Sequence, residues 1–214
     1  MGNLLSHVRF VDLSEASGNI LLTFFESPDL FNMQKHESCF FAAGAEAIAM
    51  ISSADPDAFV QLYKQLNFPH FTPSWNKKRV IRARIYFKYS DGGNDYNIFQ
   101  TGFAGVGEKN FGFMFKNTGL YGFVALADDF LTVPLKEFTA QDWENTFTLE
   151  AILFPGSRIQ YKATDEEGTY TANIQTNLPS GPDTIFIPWY WDIRQGGSVG
   201  HEMSFSSAYF FQDL

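Results

Sequence analysis

Cysteine is all but missing from this 214-residue chain: Cys39 stands alone, so no intrachain disulfide can form and folding in a reducing compartment is expected. Phe40 and Phe41 follow it, which marks a buried thiol rather than a reactive one. Charge is scarce too, at 18% of residues, and unbalanced: 15 Lys and Arg stand against 24 Asp and Glu, for a formal net charge of −9. The nearest approach to a basic run, Lys77-Lys78-Arg79 with Arg82 and Arg84, sits beside and within a strand-like stretch. The sequence thus offers no basic face for phosphate contacts, and neither nucleic acid nor an anionic membrane surface is an expected partner. No apolar run reaches the ~18 residues of a membrane-spanning helix. The opening "MGNLLSHVRF" lacks the cationic and long apolar regions of a signal peptide, and no Asn-x-Ser/Thr acceptor occurs. A virion or cytoplasmic location is the expectation. Met1-Gly2-Asn3-Leu4-Leu5-Ser6 fits the myristoylation pattern, but no basic patch follows to supply the second signal that stable anchoring needs.

What the chain has in quantity is aromatic surface, 17% of residues with 24 Phe. With so little charge, much of that ring area must be buried, and the length suffices for a sizeable core. The plainest strand is "RVIRARIYFKY", where Ile81, Ala83, Ile85, Phe87 and Tyr89 alternate with Val80, Arg82, Arg84, Tyr86 and Lys88. The turn residues "SDGGND" end it. "SRIQYKATDEEGTYTANIQT" reads as a hairpin with one wet face, turning at Asp165-Glu166-Glu167-Gly168. Further strands are expected over 20–25, 38–43, 47–52, 97–103, 111–116, 120–127, 146–154, 185–193 and 202–211. Their spacing is that of a sandwich or barrel.

One stretch argues for a short helix, near 56–66: Asp55 can cap it, Pro56 suits its first turn, and Phe59, Leu62, Tyr63 and Leu66 recur at helical spacing. A second possible turn begins at Thr139. No composition break, low-complexity tract or repeat divides the chain, so residues 1–214 read as a single β-sandwich domain.

"NFGFMFKNTGLYGFVALADDF", residues 110–130, concentrates rings around one turn and poses the question of core against binding platform. Phe111, Phe113 and Phe115 share one strand face. Across the turn at Asn117-Thr118-Gly119, either Tyr121, Phe123 and Ala125 or Leu120, Val124 and Leu126 meet them. Both faces are apolar, as for a central strand pair, and core packing is the expectation.

This order of parts, from about residue 75 to the end, resembles the concanavalin A-like lectin/glucanase superfamily. "SWNKKRVIRARIYFKY" resembles its long arginine-containing strand, "IFQTGFAG" the strand that follows, and "FGFMF" with "LYGFVAL" its hairpin. "DWENTFTLEAILFPGSRIQYKATDEEGTYTANIQTNLPSG" resembles the region where an aspartate-tryptophan turn leads to a strand and hairpin, and "EMSFSSAYFFQDL" the closing strand. The resemblance implies an all-β, two-sheet antiparallel jelly-roll sandwich. Without a signal peptide, it is similar to the non-catalytic modules of virion and tail-associated proteins, for which other structural proteins or self-assembly are implied partners.

Glucanases of this superfamily carry Glu-x-Asp-x-x-Glu, which lines carboxylates along one sheet face as acid and nucleophile. No Glu-x-Asp occurs here. Glu150 is the nearest candidate, alone on its strand. "GGSVG" at 196–200 matches Gly-x-Ser-x-Gly, with Ser198 as the serine and His201 nearby, but that elbow needs a strand before it and a helix after it, and "HEMSFSSAYFF" reads as a strand. A glycine-rich turn explains it better. Asp91, Asn94, Asp95 and Asn97 gather oxygen ligands suited to calcium, although the same residues build turns. No zinc spacing links the histidines at 7, 36, 70 and 201.

The candidate ligand site is "IPWYWDIRQGG". Trp189 and Trp191 lie two apart and share a strand face, the geometry on which pyranose rings stack, while Tyr190, Asp192 and Arg194 add polar groups beside them. The competing reading, favoured by this composition, is that the tryptophans fill the core. Three functions follow: a non-catalytic structural or attachment module of a virion or tail, a glycan-binding lectin-like domain of a cellular protein, and a polysaccharide hydrolase or lyase.

Overall fold

A computed structural model of the chain describes residues 10–11, 19–24, 32–43, 47–53, 55, 57–64, 74–88, 96–102, 109–127, 129–139, 144–183, 187–194 and 202–213. Among them are sixteen strands and no helix. The strands are β1 (Phe10–Val11), β2 (Asn19–Phe24), β3 (Asn32–Lys35), β4 (Phe40–Ala43), β5 (Ile48–Ile51), β6 (Phe59–Lys64), β7 (Arg79–Lys88) and β8 (Tyr96–Gly102). Then come β9 (Lys109–Lys116), β10 (Gly119–Leu126), β11 (Asp129–Glu137), β12 (Glu144–Phe154), β13 (Arg158–Thr164), β14 (Thr169–Ile174), β15 (Trp189–Arg194) and β16 (Glu202–Asp213).

Two antiparallel sheets face one another. The larger has nine strands in the order β1-β2-β16-β7-β12-β13-β14, with β5 and then β4 joined to the first part of β16. The smaller has seven, in the order β11-β10-β9-β8-β15-β6-β3. The alternation read in "RVIRARIYFK" is realised in full: Ile81, Ala83, Ile85 and Phe87 are buried between the sheets, while Arg82, Arg84 and Lys88 are exposed. A bulge between Phe205 and Ser207 keeps Met203 and Phe205 on the same inner face as Ala208 and Phe210, on either side of it.

The ring-rich hairpin divides between two layers. Phe111, Phe113 and Phe115 stand opposite Val124, Gly122 and Leu120 and point between the sheets. Gly122 is a socket. Tyr161 of β13 reaches across from the larger sheet, and a Cβ at Gly122 would lie 2.5 Å from its ring. The Tyr161 hydroxyl donates to the Phe123 carbonyl at 2.6 Å, tying the sheets together through a buried polar contact. Phe123 itself points the other way and forms, with Ile98 and Met114, a second buried cluster on the outer face of the smaller sheet. Core packing is thus the answer for this segment, but in two cores rather than one.

A buried cation fixes another part of the sandwich. Arg79 donates to Gln212 at 2.8 Å and to Asp183 at 2.7 Å, and its guanidinium lies 3.7 Å from the centre of the Trp75 ring. Burial lowers its pKa to about 10, while the charge of Asp183 and its hydrogen bond work to keep it protonated.

The helix expected near 56–66 is corrected by the structure. Residues 59–64 form β6, with Val60 and Leu62 buried and Gln61 and Tyr63 on the opposite face. The three- and four-residue spacing was satisfied by coincidence on a strand whose true period is two. The capping signal at Asp55 is real but serves a turn: its carboxylate accepts the Asp57 N–H at 3.0 Å and its carbonyl accepts the Ala58 N–H at 2.9 Å, which aims the chain into β6. Strands β1, β3 and β11 had no counterpart in the sequence reading. β11 contains Pro134, which sequence rules demote, and it is tolerated because β11 is the edge of its sheet.

Candidate functional site

β15 runs through the smaller sheet between β8 and β6, and its alternation separates the residues of the expected ligand site. Trp189 and Trp191 face the larger sheet, 3% and 0% exposed. The Trp191 ring stacks on Phe205 at 4.2 Å and on Phe99 at 5.4 Å. These rings offer no open face, so the ligand-stacking role considered for Trp189 and Trp191 gives way to the core reading that the composition favoured. The physical reason is position: a central strand of a sandwich turns every second side chain inward, and large rings gain most from that burial.

Tyr190 and Asp192 point the opposite way, onto the outer face of the smaller sheet, where they too are buried, 4% and 2% exposed, and Arg194 ends the strand. Strand register lines up that face in rows. One row carries Gln34, Gln61, Asp192, Ile98 and Met114, and on to Tyr121 and Pro134. The next carries Asn32, Tyr63, Tyr190, Gln100, Gly112, Phe123 and Thr132. Exposure is greatest at the ends of the rows. At the β3 end, Asn32 and Gln34 are exposed and Gln61 and Tyr63 half-buried. Gln61 donates to Asp192 at 3.4 Å, and Tyr63 stacks on Tyr190 with ring centres 6.1 Å apart. At the β11 end, Phe130 is 51% exposed and stacks on Phe123 at 5.4 Å.

The β3 end combines groups that sugar recognition uses: carboxamides that both donate and accept, one of them held by the buried Asp192 carboxylate, and a ring supported from beneath. Sequence reasoning found Tyr190 and Asp192 but not Gln61, Tyr63, Asn32 or Gln34. The signal for Gln61 and Tyr63 was the period-two pattern Val60/Leu62, which the helical spacing masked.

Of the calcium candidates, Asn97 is buried on the inner face of β8 between Phe115 and Ile193, with neither carboxamide atom hydrogen-bonded. Asp91, Asn94 and Asp95 lie outside the described residues, as do Ser198 and His201. Glu150 sits on the outer face of the larger sheet, ion-paired with Arg82, whose Nε is 3.0 Å away.

No protein-family model matches the chain, and no curated protein matches it in sequence. Solved structures do match in shape. A protein of unknown function from Shewanella oneidensis MR-1 superposes with a TM-score of 0.63 at 11% identity, over 94% of this chain and 89% of that one. The lectin UEA-II complexed with galactose gives 0.62 at 8% identity, over 91% and 99%. Peanut lectin with a nine-residue peptide gives 0.60 at 11%, over 92% and 98%. Two antiparallel sheets in this arrangement, shared along nearly the whole length of both lectins, establish the fold of this chain as the concanavalin A-like lectin sandwich.

Proposed function

We propose that the protein is a non-catalytic, lectin-like attachment module that binds a glycan at the β3 end of the outer face of its smaller sheet, in the setting of a virion or tail surface. The observation that carries this reading is the paired rows Gln34–Gln61–Asp192 and Asn32–Tyr63–Tyr190, which put hydrogen-bonding side chains beside a supported ring. The likeness to lectin folds, one of them complexed with galactose, supports it. Binding is favoured over hydrolysis by the carboxylate inventory. Glycosidases work with a pair of carboxyl groups across the scissile bond, and among the described residues of β3, β6 and β15 Asp192 is the one carboxylate on that face.

The test is a glycan array followed by fluorescence titration of wild type and Tyr63→Ala. Tyr63 is half-buried at the rim, so its removal is expected to abolish binding while leaving the melting temperature within about 3 °C. No response to any glycan at millimolar concentration would sink the proposal. Turnover of a polysaccharide that is lost in Asp192→Asn would move the protein to the enzymes instead.

A further inference from the structure

The sandwich closes along one side where β11, an edge of the smaller sheet, lies against β14, an edge of the larger. Lys136 of β11 is buried there, 8% exposed, with its Nζ 2.8 Å from Asp165 Oδ2 and 2.8 Å from Glu167 Oε2. The Asp165 side chain is fully buried at the β13–β14 turn. Its Oδ1 accepts the backbone N–H groups of Glu167 at 2.9 Å and Gly168 at 3.0 Å, and its Oδ2 accepts Asn145 Nδ2 at 3.3 Å. The rings of Phe147 and Tyr170 flank the amine, their centres 5.8 and 5.5 Å from Nζ.

From this arrangement we infer that Lys136 and Asp165 form an intramolecular isopeptide bond, a covalent staple between the two sheets, with Glu167 as the proton carrier. Each part of the reaction has its group in place. The amine is held against the carboxyl it must attack, so the entropic cost of bringing them together is met by the fold. The two backbone N–H groups at Oδ1 sit where negative charge gathers as the carboxyl carbon becomes tetrahedral. Burial pushes the Asp165 carboxyl up, but its hydrogen bonds from Lys136, Gly168 and Glu167 and the charge of Lys136 hold it below the usual value, so the reaction starts from the ion pair and passes to neutral amine and acid by proton transfer inside the contact, at no change in net charge. Glu167, exposed and with its Oε2 touching Nζ, takes a proton from the ammonium and returns it to Oδ2.

The step balances without a co-reactant. The Nζ–Cγ bond forms and the Cγ–Oδ2 bond breaks. Two protons from the ammonium nitrogen leave with Oδ2 as water, and nothing is oxidised or reduced. With Cys39 the single cysteine, this amide would supply the covalent tie that disulfides cannot, across a segment whose ends lie 29 residues apart.

Intact mass spectrometry of the denatured full chain tests the inference, since condensation removes one water, about 18 Da. The wild type is expected at that lower mass, with a branched peptide joining Lys136 to Asp165 after digestion. Lys136→Arg and Glu167→Gln are expected at their full sequence masses. A folded wild type at full mass overturns the proposal. So does a loss of water that persists in Lys136→Arg, because it would arise from cyclisation at another site.

Discussion

Gly122→Ala probes a point where the two sheets touch closely. The added methyl carbon would lie 2.5 Å from Tyr161 Cγ and 2.7 Å from both Cδ atoms, far inside van der Waals contact. The ring has no room to yield: Tyr161 is fully buried, and Phe113 meets it edge-on at 5.6 Å. Overpacking of this kind costs about 1–3 kcal/mol. Withdrawal of the ring would also break the hydrogen bond to the Phe123 carbonyl and strand a buried hydroxyl, adding about 1–3 kcal/mol. Gly122→Ala is therefore expected to cost about 2–6 kcal/mol in urea unfolding read by linear extrapolation. Tyr161→Phe, which keeps the ring and removes only the hydroxyl, should cost about 0.5–1.5 kcal/mol. The decisive measurement is the double-mutant cycle. If alanine at 122 already drives the hydroxyl off its acceptor, Tyr161→Phe costs almost nothing in that background, a coupling of about 1 kcal/mol. Additive losses, or a Gly122→Ala protein as stable as wild type, would refute the account of the socket.

Tyr161→Phe also carries a pH test. Burial raises the phenol well above its ordinary value, so its contribution is complete below pH ~10 and is lost at higher pH, once the unfolded chain ionises there. The wild type should lose stability relative to Tyr161→Phe above that pH, and parallel curves would contradict the burial argument. Replacing Trp189 and Trp191 together by alanine removes two core rings worth about 3–5 kcal/mol each, so soluble expression should collapse; a well-folded double variant with native melting temperature would return the rings to the surface. Asp183→Ala leaves the charge of Arg79 buried beside the neutral Gln212 and should cost about 3–5 kcal/mol, seen as a fall of at least about 6 °C in thermal melts. An unchanged midpoint would show that the pair is not needed. Phe113→Ala should cost about 3–5 kcal/mol and Lys162→Ala, on the wet face, under about 0.5, so equal small losses in urea would place the ring at 113 in solvent.

The all-β class and most of the strand order were legible in the sequence because a strand with one buried face writes its period into side-chain type. "RVIRARIYFK" and the hairpin around Asp165 show this: the local pattern and the final burial agree residue by residue. The lack of an intrachain disulfide was equally settled, since a single cysteine cannot pair within its own chain. What the sequence could not supply was the environment on the far side of each strand. Val60 and Leu62 fit a strand and Phe59, Leu62 and Tyr63 fit a helix, and only the neighbours β15 and β3 chose between them. β11 carries Pro134, which a strand tolerates at a sheet edge, and only the strand order shows that β11 is one. In "WYWD" the alternation was visible, but which pair faced the other sheet was not, because Trp and Tyr suit a core and a sugar-binding face equally well. The candidate site itself joins residues from β3, β6 and β15, and the Lys136–Asp165 contact joins β11 to the β13–β14 turn. Strand pairing and sheet stacking bring such groups together across long stretches of chain, so their proximity exists only in the folded sandwich.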